Sequence, residues 1–178
     1  MSGSNQLAWL VLTFAGSGAS PKAPGTMGSL AATVVVDLLW GVGMRDPWLL
    51  PVLAFSMALA HLAVGDRIVT VFGEHDPGAV VSDEVVGQWL ALAVIPLSAP
   101  LGGPDGFAGG IVLPLLLGFA LFRVFDIAKV LGVARLERLP GKWGVLLDDV
   151  LAGIYAALVL GALAFTGVLA TLQGWVGF

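Results

Sequence analysis

The chain has no cysteine, and only eight of its 178 residues are lysine or arginine. The missing thiols exclude disulfides, thiolate zinc sites and cysteine-nucleophile chemistry together. Charge of either sign is scarce at 11%, the net charge is −4, and no basic run occurs, which argues against nucleic acid as a partner. Residues 1–21 contain no Lys or Arg, so no secretory signal peptide with a basic n-region is expected there. Low-complexity tails, heptads and internal duplications are also absent. What remains is hydrocarbon. Hydrophobic residues make up 58% of the chain and the mean hydropathy is +0.97, the composition of a membrane domain or an unusually apolar helical bundle.

Five apolar stretches stand out: Ser29–Gly43, Trp48–Val64, Val85–Leu101, Phe107–Phe122 and Val150–Leu172. Only the last reaches the roughly 20 residues that span a bilayer comfortably; the others need flanking residues, thinned bilayer or burial as core. Leu7–Phe14 is too short to span and is expected to lie at an interface. No long alternating stretch supports strands. The expected fold is therefore all-α: a single membrane-embedded domain over 1–178, with about five apolar helices and a short N-terminal interfacial segment.

If all five stretches cross, one side receives Lys22, Arg67, Arg123, Lys129, Arg135, Arg138 and Lys142, and the other Arg45 alone. The positive-inside rule puts the first side in the cytoplasm. Trp40, Trp48 and Trp175 would then mark the outer interface, and Trp9, Trp89 and Trp143 the inner one. Asp37 falls mid-span, so either it faces the bundle interior or its stretch does not face lipid.

Against this background the carboxylates carry the information, since acids near lipid are costly unless paired or metal-bound. In SDEVVGQW, Ser82 is placed as an N-cap with Asp83 and Glu84 in the first turn. In LLDDVLAG, Asp148 and Asp149 stand before the longest apolar helix. Helix capping explains one acid per helix start. Two acidic pairs on one face, with Asp126 and Asp76 near, suit a shared Mg²⁺, which takes hard oxygen ligands. In FRVFDIAK, Arg123, Asp126 and Lys129 form either a surface ion-pair ladder or a site in which Asp126 meets metal and the cations hold phosphate.

The segment GSGASPKAPGTMGSL, residues 16–30, turns at Pro24-Gly25, with Thr26 as N-cap of a helix from about Met27. Glycine N–H groups, a helix N-terminus and Lys22 would make an anion cradle; a flexible loop before a capped helix is the plainer alternative. His75 could shuttle a proton or assist the metal, whereas His61, inside an apolar helix, reads as a hydrogen-bonded core residue.

Taken in order, SGASPKAPGTMGSL, DPGAVVSDEVVGQW, FRVFDIAK and GKWGVLLDDVLAG resemble the phosphatidylglycerophosphatase A family, from about Gly16 to Gly153. The resemblance implies Mg²⁺-dependent hydrolysis of phosphatidylglycerol phosphate to phosphatidylglycerol and phosphate, in bacterial phospholipid synthesis at the cytoplasmic membrane. It also implies a multihelical fold with one helix surrounded by others. Substrate contacts would fall to Lys22, Thr26, Gly28, Ser29, Arg123 and Lys129, and metal binding to Asp83, Glu84, Asp148 and Asp149. Asp83, Glu84, Asp126 and Asp149 would be catalytic. Asp37 and His75 match no part of the family pattern. The signatures of histidine lipid phosphatases and of haloacid-type phosphatases are absent, leaving metal-activated water as nucleophile. A phosphatidyltransferase would need a DGxxAR-type run, which is missing. A cation carrier would place acids along helix interiors, as only Asp37 is here.

Overall fold

Apolar sequence without period-2 alternation folds here into helices. The computed structural model describes residues 2–74, 77–97, 111–130 and 132–176, and among these there is no strand. The helices are α1 (Gly3–Leu12), α2 (Pro24–Gly41), α3 (Leu49–Val64), α4 (Ile68–Phe72), α5 (Ser82–Leu92), α6 (Val112–Ala128), α7 (Val133–Leu136), α8 (Lys142–Phe165) and α9 (Val168–Val176). The expectation of an all-α fold holds. His75, Asp76 and residues 98–110 lie outside the described residues, and with them the end of the third apolar stretch and the start of the fourth.

α5 is the centre of the bundle. It packs against α2, α3, α6 and α8, and nine of its eleven residues are buried. This matches the implied arrangement of one helix enclosed by others. Two glycines allow the closest contact. A methyl on Gly153 of α8 would collide with the backbone of Gly87, and one on Gly87 with the Asp149 carbonyl and the Phe122 ring. The α5 and α8 backbones therefore touch, a separation that any side chain would widen. Around this crossing Val86, Trp89, Leu92, Trp40, Leu50 and Leu160 form the core. The Trp89 indole N–H donates to the Ala32 carbonyl at 3.1 Å, which satisfies its polar edge.

α2, α5 and α8 begin at one end of the bundle, where α3 and α6 finish. Gly65, just past α3, packs under the Lys142 side chain at the start of α8, and Gly25 of α2 lies against Glu84 of α5. The chain near seven of the eight basic residues gathers at this end, as the loop charges predicted.

Several boundaries differ from expectation. α2 starts at Pro24, with Ala23 in the left-handed region (φ 47°) and no side-chain cap, so Thr26 lies inside the helix and does not cap it. Proline explains this, since it has no N–H to satisfy and its φ is preset for a first helical position. α8 starts at Lys142, which places Asp148 and Asp149 in its second turn rather than ahead of it. It ends at Phe165, before Gly167 (φ 74°) and α9. α5 stops at Leu92, so Val85–Leu101 is not one helix. Among the described residues two segments are long and apolar enough to cross a bilayer, Leu49–Phe72 and Lys142–Phe165. Trp40 and Trp89, expected at interfaces, are core residues, whereas Trp48, Trp143 and Trp175 are exposed. Asp37 is exposed one turn before the end of α2, so it does not face the bundle interior.

Candidate active site

The contact of α5 with α8 decides where the acids go. Asp83 lies four residues before Gly87 and Asp149 four residues before Gly153, one helical turn from the crossing on each side. Both helices lead away from the same end, so the two carboxylates meet, with Glu84 beside them. Asp83, Glu84 and Asp149 each offer an oxygen within 4.8 Å of the others. Asp83 is 6% exposed and Asp149 3%. Asp83 Oδ1, Glu84 Oε2 and Asp149 Oδ1 are buried with no hydrogen-bond partner among the described residues. Buried acceptors are normally satisfied, so three orphaned carboxylate oxygens in one place are a donor set that fits a hard cation.

The trio lines a cavity of about 420 Å³ that also takes in Asp126, Lys129, Glu137 and Asp148. Lys129 is the cation on its wall among the described residues. Burial raises the Asp83 carboxyl well above its usual range, and the Glu84 and Asp149 charges add to that. Burial likewise pushes Glu84 up to about 7, with Asp126 raising it further while the Asp83 hydrogen bond and Arg123 draw it down. For Lys129 burial acts downward, but the hydrogen bond and charge of Asp148, helped by Glu137, outweigh it and raise the amine above its ordinary value.

The i, i+3, i+6 ladder forms only in part. Arg123 Nη1 lies 2.5 Å from Asp126 Oδ2, as the spacing suggests. Lys129 ends α6 in the left-handed region (φ 48°), leaves the ladder, and reaches Asp148 Oδ2 at 2.5 Å and Glu137 Oε1 at 3.3 Å. A left-handed lysine costs on the order of 1 kcal/mol, offset here by two ion pairs. Asp148 is thus engaged by Lys129 through one oxygen and stands outside the trio, while its Oδ1 is unpartnered.

The glycine-rich segment joins the site less directly. Lys22 is exposed and does not line the cavity. Gly28 packs against Val81, where a side chain would not fit. The Ser29 hydroxyl donates to the Gly25 carbonyl at 2.9 Å and accepts from Arg123 Nη1 at 3.5 Å. Thr26 is half-buried in the first turn. Gly25, read from sequence only as part of a turn, also touches the site, lying against the Glu84 carboxylate and Arg123. Ser82 also has another role. Val81 is the N-cap, and the Ser82 hydroxyl pairs with His61 Nδ1 at 2.7 Å. His61 is fully buried and doubly bonded, as its apolar surroundings predicted. The missed signal for Gly87 and Gly153 was present in the chain as a repeated Asp-x-x-x-Gly spacing.

A buried carboxylate cluster opening into a cavity at one end of an apolar all-helical bundle defines the class, a small helical enzyme with an acid-lined site. The family profile for phosphatidylglycerophosphatase A matches residues 10–164. A protein of Bacteroides thetaiotaomicron, provisionally named a phosphatidylinositol-3-phosphatase, is 37% identical over 160 residues, covering 85% of this chain and 89% of that protein. A phosphatidylglycerophosphatase A of Haemophilus influenzae is 36% identical over 152 residues, 84% of each. That of Escherichia coli is 32% identical over 152 residues, 82% of this chain and 76% of its own. No solved structure matches. The chain belongs to the phosphatidylglycerophosphatase A family and is a phosphatase.

Proposed function

We propose that this protein removes the terminal phosphate of phosphatidylglycerol phosphate, with Mg²⁺ held by Asp83, Glu84 and Asp149. The observation that carries the reading is the buried trio of unpartnered carboxylate oxygens at the cavity wall, in a chain of this family. Bound there, a divalent ion supplies Lewis acidity toward a phosphoryl oxygen and toward water. In the overall reaction water adds its oxygen to phosphorus, the bond from phosphorus to the glycerol oxygen breaks, and that oxygen leaves with a proton as a hydroxyl. Lys129, on the cavity wall, neutralises a phosphoryl oxygen by exchanging one carboxylate partner for phosphate. Asp126, held in place by Arg123, is the carboxylate that relays the proton between the attacking water and the leaving oxygen. Arg123 lies behind Asp126 on the side of α2, so it orients this carboxylate while Lys129 meets the phosphate.

The same reading places the protein in the bacterial cytoplasmic membrane, crossing several times with the acid end in the cytoplasm. Outward faces support it: Leu30, Val34 and Leu38 on α2, Val52, Phe55 and Leu59 on α3, and Leu158 and Phe165 on α8 are exposed apolar residues. Soluble monomers rarely expose apolar patches of that extent. The basic residues at the acid end orient it.

The test is phosphate release by purified protein from phosphatidylglycerol phosphate, and in parallel from phosphatidylinositol 3-phosphate, before and after exhaustive EDTA dialysis. Release from the first lipid that disappears with EDTA and returns with Mg²⁺ is expected. Full activity after dialysis removes the metal from the reading, and release from the inositide alone replaces the substrate.

A further inference from the structure

His61 is buried, polar and unused by the chemistry above, and it sits where three helices meet. It lies one turn before the end of α3. Its Nδ1 is 2.7 Å from the hydroxyl of Ser82, the first residue of α5, and its Nε2 is 3.2 Å from the carbonyl of Lys142, the first residue of α8. A carbonyl only accepts, so Nε2 carries the hydrogen and donates. Nδ1 is then bare and accepts from the Ser82 hydroxyl. One neutral ring therefore ties the first residue of α5 to the first residue of α8. Asp83 follows Ser82 directly, and Asp149 lies two turns into α8. On the far side of the acids the two helices are fixed again, where Gly87 meets Gly153. The Val81 N–H, bonded to the Leu12 carbonyl at 2.8 Å, ties the start of α5 to α1, not to α8.

We propose that His61 is a positioning residue, a clasp between the starts of α5 and α8 that fixes Asp83 and Glu84 against Asp149 at the separation one divalent ion requires. This rests on the metal reading above. Metal ligands tolerate deviations of only a few tenths of an ångström, so a loosened clasp lowers ion affinity before it unfolds the bundle.

The probe is Mn²⁺, titrated into detergent-solubilised full-length protein and followed by electron paramagnetic resonance, which needs no turnover. Ser82→Ala removes one oxygen from the clasp and His61→Leu removes the whole of it. The expected result is weaker Mn²⁺ binding in both, by about 10- to 100-fold for His61→Leu, the usual cost of losing support behind a metal ligand. The double variant should be no worse than His61→Leu, and His61→Asn, which keeps an acceptor in place of Nδ1, should recover part of the loss. KM for the lipid at saturating ion should stay put. Unchanged affinity in Ser82→Ala and His61→Leu overturns the proposal and leaves the metal site standing. A loss in His61→Leu with full affinity in Ser82→Ala makes His61 a packing residue and overturns it too. If the unaltered protein binds no Mn²⁺, the metal reading falls and the clasp with it.

Discussion

Residues 16–30 and residues 82–89 approach the same end of the bundle, and each leads into a helix. In the first, Ala23 and Pro24 turn the chain at the surface, Lys22 stays in solvent, and Gly28 serves contact with Val81. In the second, every residue but Glu84 is buried, and Gly87 serves contact with α8. Both segments use glycine for close packing. The difference is that α5 is enclosed by other helices, so its two acids face the bundle interior and the cavity and must be satisfied there. A glycine-rich run before a helix is thus a weaker pointer to a site than a pair of acids in a helix with nowhere to send them.

The contrast can be broken most severely at the acids. Asp149→Asn keeps the size of the side chain and removes a charge, and phosphate release should fall on the order of 10³-fold, about 4 kcal/mol in transition-state terms. Melting of the EDTA-treated variant should equal or exceed that of the parent, because a buried repulsion has gone. A variant with normal turnover would make the cluster structural. Lys129→Gly removes the cavity cation and relaxes its left-handed backbone but leaves buried Asp148 unpaired, so a thermal melt is run beside the assay to show that the variant is folded. Loss of about 100-fold in kcat/KM is expected, in line with removal of a transition-state contact.

Gly87→Ala tests the helix contact. It should destabilise by about 1–3 kcal/mol through overpacking and cost about tenfold in activity, measured by thermal melts and phosphate release. Gly41→Ala, where a methyl meets nothing within 4 Å, should change neither. Equal behaviour of the two would mean α5 and α8 have room to spare.

Proton linkage sharpens the comparison further. In metal-free protein Glu84 keeps its proton up to about 7, whereas the unfolded chain releases it near its ordinary 4.5. The folded state therefore binds more protons across that window, and stability falls as pH rises through it. Apparent Tm in EDTA should drop between those values, and Mg²⁺ should restore it above them. A flat or rising Tm in EDTA would show Glu84 titrating normally. Among the candidate site residues the smallest effect is expected at Lys22. Lys22→Ala should change kcat/KM by less than about threefold, the scale of an exposed charge. A loss of two decades would mean that the loop folds over the substrate.

Much of this was legible because charge stands out in a chain so apolar: the acid pairs and the common end they occupy were readable from Asp83, Glu84, Asp126, Asp148 and Asp149, and the all-helical fold from the lack of alternating stretches. The Asp-x-x-x-Gly repeat was equally present, but its meaning depends on two helices meeting. Partnerships made across the bundle left no local trace. Ser82 looks like a cap until His61 is brought 2.7 Å from it, and Lys129 looks like a ladder rung until its backbone turns left-handed. Thr26 misled because capping preferences were weighed ahead of a proline two residues earlier.

The enclosure of α5 also bears on the order in which the protein is made. A helix of eleven residues, about 16 Å long and starting with two carboxylates, cannot cross a bilayer or partition into lipid by itself. Its fourth wall, α8, begins some fifty residues downstream, at Lys142. During synthesis residues 82–92 must therefore wait, held by α2 and α3 or left at the aqueous surface, until α8 arrives. Asp83 and Glu84 thus meet Asp149 only after α8 has been made.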